Sequence, residues 1–598
     1  MFSGKTIRQG RIEMTGAGLI HSTWRQWFGN LTVVAMALMG SLMQAKAQLP
    51  TPGADGPLLG PRETRPKLPE FIPPSELDPE LPAPLPPGQR VPRLSQEPAL
   101  FLKEVRFDGN TIVPDEELAG VVAAFTGRLV SAEELQDLRD RLTELYVKRG
   151  YINSGAVLPD QDVVDGIVTY RIIEGQLSGI AVTGNEGLRE SYIVDRLAIG
   201  AGPPLNVNEL RDRIQILLQD PLIDQLNAEL RPGPRLGESL LDVAVKRARP
   251  YEVYLSLDND VSPSIGEFRG RVSTIFRNLT GFGDTVDLLY DRSHGLTEVI
   301  GGFMLPITPY DTGVGFRFDY NDAGVVEEPL RELDINSDTR SIEIFVNQPV
   351  YQTPEQKLTL ELGLARERSE TTLLGRSFPF SAGETNGKSD VTVLRFSQTW
   401  VSRSLDQVVA TRSSFNFGLN GLGATENPEG TPDGQFASWL GQFQWVRRFG
   451  ETGPQLIFRT DVQLSNDALL PIERLSIGGA ESVRGYRKNT LIRDSGVVTS
   501  LEGRVPVFRL PIPGLSRQAE DGMIQIAPFA DFGYGWNKAG ETFGPSSIYS
   551  VGVGLRWQPS PRLQAQVYYG HALRDANIPE RGSLQDSGVY FQIIGKLF

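Results

Sequence analysis

Apolar and polar side chains alternate one by one along most of the C-terminal half of the chain, as in residues 313–320, 357–367 and 562–572. A period of two is that of a β-strand whose two faces meet different surroundings. Sixteen such segments follow one another from residue 251, and the last ends at residue 598. The pattern therefore predicts an all-β domain of sixteen strands over residues 250–598.

Two all-β architectures fit this pattern: a soluble sandwich or propeller, and a transmembrane barrel with apolar side chains toward lipid and polar ones toward the lumen. Short and long connections alternate between the segments, which favours the barrel. Tryptophans suited to the aromatic girdles of a barrel lie in this half: Trp400, Trp439, Trp445, Trp536 and Trp557. We predict a sixteen-stranded antiparallel barrel whose lumen is wide enough for water.

A repeat of strand, helix, helix, strand and strand occupies the region before the barrel. Each copy starts with an alternating apolar segment that ends in Gly-Asn, at residues 109–110 and again at residues 184–185. In the first copy, Ser131 and Glu134 form a predicted capping box. The repeat predicts two small α+β modules, over residues 99–176 and 177–249. Their edge strands could accept an extended peptide, and the alternative is a pair of spacer domains.

The N-terminus has the features of an export signal. A basic stretch precedes the apolar run 31–43, and Ala45-Lys46-Ala47 is a cleavage site of the A-x-A type. The apolar run is too short for a membrane anchor, which needs about 20 residues. We predict a signal peptide over residues 1–47. Fifteen prolines then mark residues 48–98 as an extended linker without a core of its own.

The overall composition excludes several classes of chemistry. The net charge of −14 argues against nucleic-acid binding. The absence of cysteine excludes disulfides, thiolate catalysis and zinc–thiolate sites. Only three histidines occur, and none lies near a serine motif. We therefore expect no enzyme activity, no cofactor and no metal site.

A long loop without periodicity of its own separates the alternating segments 456–464 and 497–505. It contains Val483-Arg484-Gly485-Tyr486, where the arginine offers a planar fork of five donors and the glycine allows a sharp turn. Long loops of this kind are often functional. The loop could fold inward and place Arg484 on a carboxylate. The alternative is a solvated surface loop with one isolated arginine.

Alternation along the neighbouring segments identifies a carboxylate that faces the lumen. In 523–533, Phe529 and Asp531 share one face, and a carboxylate avoids lipid, so this face is the inner one. In 496–507, Glu502 and Arg504 share the polar face. Both residues are candidate lumen neighbours of the loop.

The repeat, the barrel and two motifs together resemble the two-partner secretion transporters (the TpsB, or hemolysin activation–secretion, family) of the POTRA–barrel superfamily. The resemblance covers about residues 96–598, with a further match in the turn 278–284. The loop motif comprises Val483, Arg484, Gly485 and Tyr486, and the motif on the thirteenth strand comprises Phe529, Asp531 and Gly533. The two modules are thereby identified as POTRA domains.

The resemblance implies a Gram-negative outer-membrane transporter with its POTRA domains in the periplasm. Such a protein exports an unfolded hemolysin- or adhesin-like exoprotein, which the POTRA domains bind, to the cell surface. Its loop folds into the lumen, so that Arg484 pairs with Asp531. An insertase of the same superfamily is the alternative, and two modules rather than a longer array favour export. The family usually carries a plug helix before the first module, whereas this chain is rich in proline there.

Overall fold

The computed structural model describes residue 71 and residues 100–450, 452–539, 544–576 and 582–598. The predicted signal peptide and, apart from Phe71, the linker lie outside the described residues, as does any plug helix within them. None of the helices in the described ranges is long and apolar enough to cross a membrane. The described chain forms two α+β modules followed by a barrel.

Module 1 packs two helices on a three-stranded sheet. Its elements are β1 (Leu100–Leu102), β2 (Glu104–Asp108), α1 (Asp115–Val122), β3 (Arg128–Val130), α2 (Ala132–Lys148), β4 (Gly155–Val157) and β5 (Ile167–Ile173). The sheet has the order β2-β5-β4, with β2 and β5 parallel. The pair β1–β3 was not predicted, because three residues are too few to establish a period.

The N-terminus of α2 shows why this helix begins where it does. The Ser131 hydroxyl accepts from the Glu134 amide at 3.2 Å, and the Glu134 carboxylate accepts from the Ser131 amide at 2.8 Å. Two amides that would lack helical partners are thereby satisfied. The predicted capping box is confirmed, and it places the apolar face of α2, including Leu138 and Leu142, on the sheet.

Module 2 repeats the same arrangement with longer strands. Its elements are β6 (Gln176–Thr183), α3 (Glu190–Ala198), α4 (Val207–Leu218), β7 (Ile223–Pro232) and β8 (Glu238–Arg247). The sheet order is β6-β8-β7, so β6 and β7 are its edges. Buried leucines and isoleucines of both helices, such as Ile193 and Leu210, form the core with β8.

The C-terminal half closes into an antiparallel barrel of sixteen long strands, as the alternation predicted. They are β9 (Tyr251–Asp258), β10 (Arg269–Arg277), β11 (Thr285–Arg292), β12 (Leu296–Pro306), β13 (Gly313–Gly324), β14 (Asn336–Gln352), β15 (Gln356–Leu373), β17 (Lys388–Arg403), β18 (Gln407–Gly418), β19 (Ala437–Arg448), β20 (Gln455–Ser465), β23 (Ser495–Arg509), β24 (Met523–Trp536), β25 (Ser547–Ser560), β26 (Leu563–Ala572) and β27 (Val589–Lys596). Three short strands lie in the connections: β16 (Arg376–Ser377), β21 (Leu475–Ile477) and β22 (Leu491–Arg493).

The barrel wall has an apolar outer face and a charged inner face. On β14, Ile342 and Ile344 are exposed outward, whereas Glu343 between them is buried and pairs with Arg317 of β13. Burying such a carboxylate is tolerable because a guanidinium contacts it.

The end of the barrel that receives the chain from module 2 is called the proximal end here, and the opposite end the distal end.

Module 2 sits on the proximal end of the barrel. The turn 278–284 between β10 and β11 accepts the N-terminus of α3: the Arg189 amide donates to the Gly281 carbonyl at 3.1 Å. The Asn278 side chain donates to the Gly187 carbonyl at 2.8 Å. Two helical turns further along α3, Arg196 pairs with Asp311 in the next proximal turn. The turn 278–284, which resembles the corresponding turn of the superfamily, is therefore the docking site (the seat) of module 2 on the barrel.

Candidate functional site

The connection between β20 and β23 folds into the barrel. We call residues 466–494 the lumen loop; they contain β21 and β22, which pair with each other. The apolar side chains at the base and tip of the loop are fully buried, Ile477 and Val483 among them, and they pack on Val498 of β23 and Ile548 of β25. The loop is therefore part of the barrel interior and not a solvated surface loop.

Arg484 lies at the tip of this loop and meets Asp531 of β24. Its Nε and Nη2 atoms donate to the two carboxylate oxygens at 2.8 and 2.9 Å, and its backbone amide donates to the same carboxylate at 3.0 Å. Arg484 is 7% exposed and Asp531 is 3% exposed. A charge-assisted fork of this kind fixes both the position and the orientation of the guanidinium.

A second carboxylate completes the surroundings of Arg484. Glu502 of β23 accepts from Nη1 of Arg484 at 2.5 Å, and its other oxygen accepts from Arg504 at 2.7 Å and from the Tyr568 hydroxyl at 3.1 Å. Two arginines thus balance two carboxylates inside the wall. Arg556 adds a third positive charge beside Glu502 and donates to the Tyr568 hydroxyl at 3.1 Å. Each buried carboxylate thus contacts at least one guanidinium, which makes its burial tolerable.

Two aromatic rings pack against the guanidinium of Arg484. The Arg484 Cζ atom lies 3.5 Å from the ring centre of Phe529 and 5.0 Å from that of Tyr568. The two rings meet edge to face at 5.9 Å. A partly desolvated cation–π contact adds about 1–2 kcal/mol to such a site. Phe529, two residues before Asp531 on the same inner face, therefore acts on the same arginine.

The glycines of the two motifs make room for the loop. Gly485 has φ +95°, and a Cβ atom there would lie 3.0 Å from the carbonyl oxygen of Gly570 on β26. At Gly533, a Cβ atom would lie 2.5 Å from the Ile477 side chain and 3.0 Å from that of Val483. Larger residues at these positions would push the loop away from the wall.

Tyr486 and Tyr590 attach the loop to the last strands. The Tyr486 hydroxyl donates toward the carbonyl oxygens of Arg574 and Tyr549, at 2.8 and 3.0 Å. The Tyr590 hydroxyl, on β27, donates to the Tyr486 carbonyl at 2.6 Å and accepts from the Gly485 amide at 3.0 Å. All four residues of the loop motif thus contact the wall.

The structure places the candidate residues of both motifs, and Glu502 and Arg504, within one site. Sequence reasoning missed Ser500, which accepts from Arg484 at 3.0 Å, as well as Tyr568 and Tyr590. Ser500 has the parity of Glu502, so alternation alone could have identified it. The roles of the tyrosines depend on which strands the loop approaches, and no local pattern encodes that.

The distal end of the lumen loop makes a second ionic contact. Arg487 pairs with Asp586, in the connection between β26 and β27, and with Glu327, in the connection between β13 and β14, at 2.9 Å. The loop is therefore joined to the last connection of the barrel and to the one between β13 and β14. Together, these ion pairs and hydrogen bonds hold the lumen loop inside the barrel, and they can break and re-form without any change in covalent bonds.

A closed sixteen-stranded barrel, a lumen loop held by an arginine, and two α+β modules on the proximal end define a POTRA–barrel outer-membrane transporter. Residues 237–557, which are 321 of the 598 residues, match the family model for haemolysin secretion/activation protein ShlB/FhaC/HecB, and residues 100–175 match the ShlB-type POTRA domain. The chain belongs to the ShlB/FhaC/HecB family: it is a two-partner secretion transporter of the outer membrane with periplasmic POTRA modules.

Relatives with similar sequences are transporters too. The outer membrane transporter CdiB of Dickeya dadantii (strain 3937) is 22% identical over 478 residues, which are 77% of this chain and 82% of the relative. The hemolysin transporter protein HpmB of Proteus mirabilis is 21% identical over 67% of this chain and 71% of its own. The family is one of transporters, and the alternative of an insertase is not what these similarities indicate.

Solved structures agree on the fold. CdiB from Escherichia coli superimposes with a TM-score of 0.64 at 21% identity, over 86% of this chain and 94% of that protein. CdiB from Acinetobacter baumannii gives 0.58 at 15% identity, over 98% and 100%. BamA from Haemophilus ducreyi, without its POTRA domains 1–3, gives 0.51 at 15% identity over 83% of this chain. These likenesses concern the architecture alone.

Proposed function

We propose that this transporter exports an unfolded exoprotein of the hemolysin or adhesin type, which module 2 captures by strand addition. The observation that carries the proposal is β7, an edge strand of ten residues that pairs on one side with β8 and with no other strand of the described chain. Free backbone donors and acceptors on a long edge are a template for an extended peptide.

Of the four edges of the two three-stranded sheets, β7 is the longest, with ten residues against eight in β6. The edge β4 has three residues and β2 has five, which leaves room for few backbone hydrogen bonds. Alternate residues of β7, such as Asn227 and Glu229, are exposed, so a peptide added there would meet polar side chains on one face. Main-chain hydrogen bonds would provide affinity for many sequences, as transport of an unfolded chain requires.

The position of β7 supports entry into the barrel. Gln219, four residues before β7, donates to the carbonyl of Pro354 in the proximal turn between β14 and β15 at 3.0 Å. The Ala248 amide, just before β9, donates to Leu222 at 2.9 Å. The captured strand would therefore start beside the rim, and its next residues would be presented to the lumen.

Arg484 is proposed to keep the lumen loop in its resting position until the substrate enters. The pairs with Asp531 and Glu502 hold the loop against the wall where a passing chain needs space. Loops that cover a site and must move for turnover are common in enzymes, and the same gating argument applies to a transporter. Substrate that contacts the loop would then compete with the wall for it.

Crosslinking tests the capture step. The exoprotein is first identified as the product missing from the culture medium of cells that lack this transporter. Because the native chain has no cysteine, Asn227→Cys on β7 then carries the only thiol of the transporter. We expect a covalent adduct with stalled exoprotein from this position and little from Glu209→Cys on α4, which is also exposed. Equal adducts from both positions would contradict capture at β7.

A further inference from the structure

The seam where the first and last strands meet is only partly paired through the backbone. Residues 592–596 of β27 pair with residues 254–258 of β9, which is five pairs. The Leu597 amide adds a hydrogen bond to the Val253 carbonyl at the proximal end, at 2.9 Å. On the distal side of the pairs, the described residues show one backbone contact, from the Asn259 amide to the Phe591 carbonyl at 3.4 Å. The distal part of β27 therefore needs other partners on this side.

A buried side-chain amide supplies those partners. Asn259 directly follows the paired part of β9 and is 0% exposed. Its Oδ1 atom accepts from the Phe591 amide at 2.7 Å, and its Nδ2 atom donates to the Val589 carbonyl at 2.9 Å. The carboxamide thus presents one acceptor and one donor to β27, as a paired strand would.

A second buried amide links this seam to the lumen loop. Gln585, 1% exposed, donates from Nε2 to the carbonyls of Asn259 and Val261 at 2.5 and 2.7 Å. Its Oε1 atom accepts from the backbone amide of Lys488, in the lumen loop, at 2.9 Å. The Gln585 side chain therefore donates to the seam through its nitrogen and accepts from the lumen loop through its oxygen.

We propose that Asn259 and Gln585 are positioning residues that couple the lumen loop to the distal half of the β9–β27 seam. When the loop leaves the wall, Gln585 loses its contact with Lys488, and Tyr590 of β27 loses its contacts with the loop backbone. Buried polar groups left without partners are costly, so the distal seam loosens with the loop. The proximal five pairs, which involve neither residue, remain closed.

The coupling must act in both directions, because a free energy shared by two sites is reciprocal. Weakening the seam at Asn259 must therefore free the lumen loop, although Asn259 is not one of the residues that contact Arg484. This reciprocity separates the proposal from a purely structural role for the two amides. The proposal assumes that the loop can move, as in the proposed function, but it involves no substrate.

Hydrogen exchange of the full-length protein in lipid nanodiscs tests both directions. Arg484→Ala is expected to speed exchange of the Phe591 amide about tenfold and to leave residues 593–596 protected, since exchange reports local opening. Asn259→Ala is expected to speed exchange of the Arg484 and Gly485 amides, which are bonded to Asp531 and Tyr590. An unchanged Phe591 amide in the first variant, or an unchanged Gly485 amide in the second, overturns the proposal.

Two further variants serve as an alternative and a control. Gln585→Glu keeps the acceptor for Lys488 and loses both donors to the seam, so it should loosen the Phe591 amide by itself. It replaces Asn259→Ala if that variant does not assemble, as judged by heat-modifiable mobility on gels. Asn427→Ala is the control: the side-chain amide that it removes donates to the carbonyls of Gly383 and Pro432, in distal connections away from the seam. Exchange in the seam that increases equally in this control would also overturn the coupling.

Discussion

Arg484 gives three hydrogen bonds to the single carboxylate of Asp531, two from its guanidinium and one from its own backbone amide. The side chain and the main chain of the loop tip are thus fixed by one residue of β24. Since Glu502 contacts the guanidinium as well, the two partners of the pair are not equivalent. Their substitutions should have unequal effects.

The first prediction concerns this asymmetry. Arg484→Ala should reduce secretion more than Asp531→Ala. The arginine variant leaves the buried Asp531 carboxylate without the guanidinium that contacts it, whereas the aspartate variant leaves Arg484 paired with Glu502. Breaking a buried ion pair costs about 3–5 kcal/mol, and water in the lumen lowers this. The double variant should be little worse than Arg484→Ala, because both substitutions remove the same contact.

Secretion of the exoprotein and barrel assembly are measured together for this series. Arg317→Ala is the control, because it also breaks a buried lumen pair, with Glu343, away from the lumen loop. We expect this control to secrete normally. Defects that add fully in the double variant would argue against a shared contact.

The second prediction concerns module 1. Deletion of residues 101–175 should abolish export because module 1 supports module 2, which carries β7: the Asn153 side chain donates to the Gly237 carbonyl and to the Ser239 hydroxyl, each at 3.2 Å. The barrel should still insert, because it closes through its own strands. The readouts are exoprotein in the medium and heat-modifiable barrel in outer membranes. Normal export by this deletion variant would mean that module 1 is a spacer with no part in capture.

The third prediction concerns the seat of module 2. A Cβ atom on Gly283 would lie 2.3 Å from the Tyr192 ring of α3, so Gly283→Ala should displace the module and reduce export. Gly281→Ala is the matched control: its φ of +88° is close to the +84° of Gly283, but its Cβ atom would approach no atom nearer than 3.4 Å. Backbone strain is common to both variants.

Distances between spin labels on module 2 and the barrel rim provide the measurement for this pair. Only Gly283→Ala should broaden or shift the distance distribution. If both variants shift it alike, strain in the turn and not contact with Tyr192 determines the position of the module.

The fourth prediction concerns pH. Burial raises the pKa of Asp220, in module 2, above its ordinary value of 3.8, and the hydrogen bonds from the Tyr192 hydroxyl and the Leu222 amide oppose this only in part. Between the ordinary pKa and the raised one, the native state binds more protons than the unfolded state. Stability therefore falls as the pH rises through this window.

Asp220→Asn removes this titration, so mild acidification should stabilise module 2 of the native protein more than that of the variant. Pulse proteolysis in urea measures the difference in the full-length protein. The charges of Arg196 and Asp311 also act on this carboxyl but are present in both proteins. If the stability of module 2 depends on pH in the same way in both proteins, folding does not raise the pKa of Asp220 and the prediction is wrong.

Alternation was sufficient to predict the barrel and the inward face of β24, because lipid outside and water inside impose a strict period of two. It also put Glu502 and Arg504 on the inner wall. The capping box at Ser131 was predictable because it involves residues three apart. These features depend on local spacing, which a single sequence displays directly.

The contacts of Tyr590, Asn259 and Gln585 could not be predicted in this way. Each depends on the register at which β27 meets β9, and that register is fixed only when the barrel closes. The short ladder of β21 and β22 was missed for a related reason, since three-residue strands have no measurable period. The seat formed by the turn 278–284 was recognised as a motif, but its partner in α3 was not.

Asn259 and Gln585 are 326 residues apart in the chain, and they meet at the seam. During biogenesis the first strand is therefore made long before the residues that complete its distal edge. Until the C-terminal segment arrives, β9 has an open edge and the lumen loop lacks its contacts with Tyr590 and Gln585. Bringing such distant segments together is entropically slow. A chain that lacks residues 582–598 therefore cannot complete the seam.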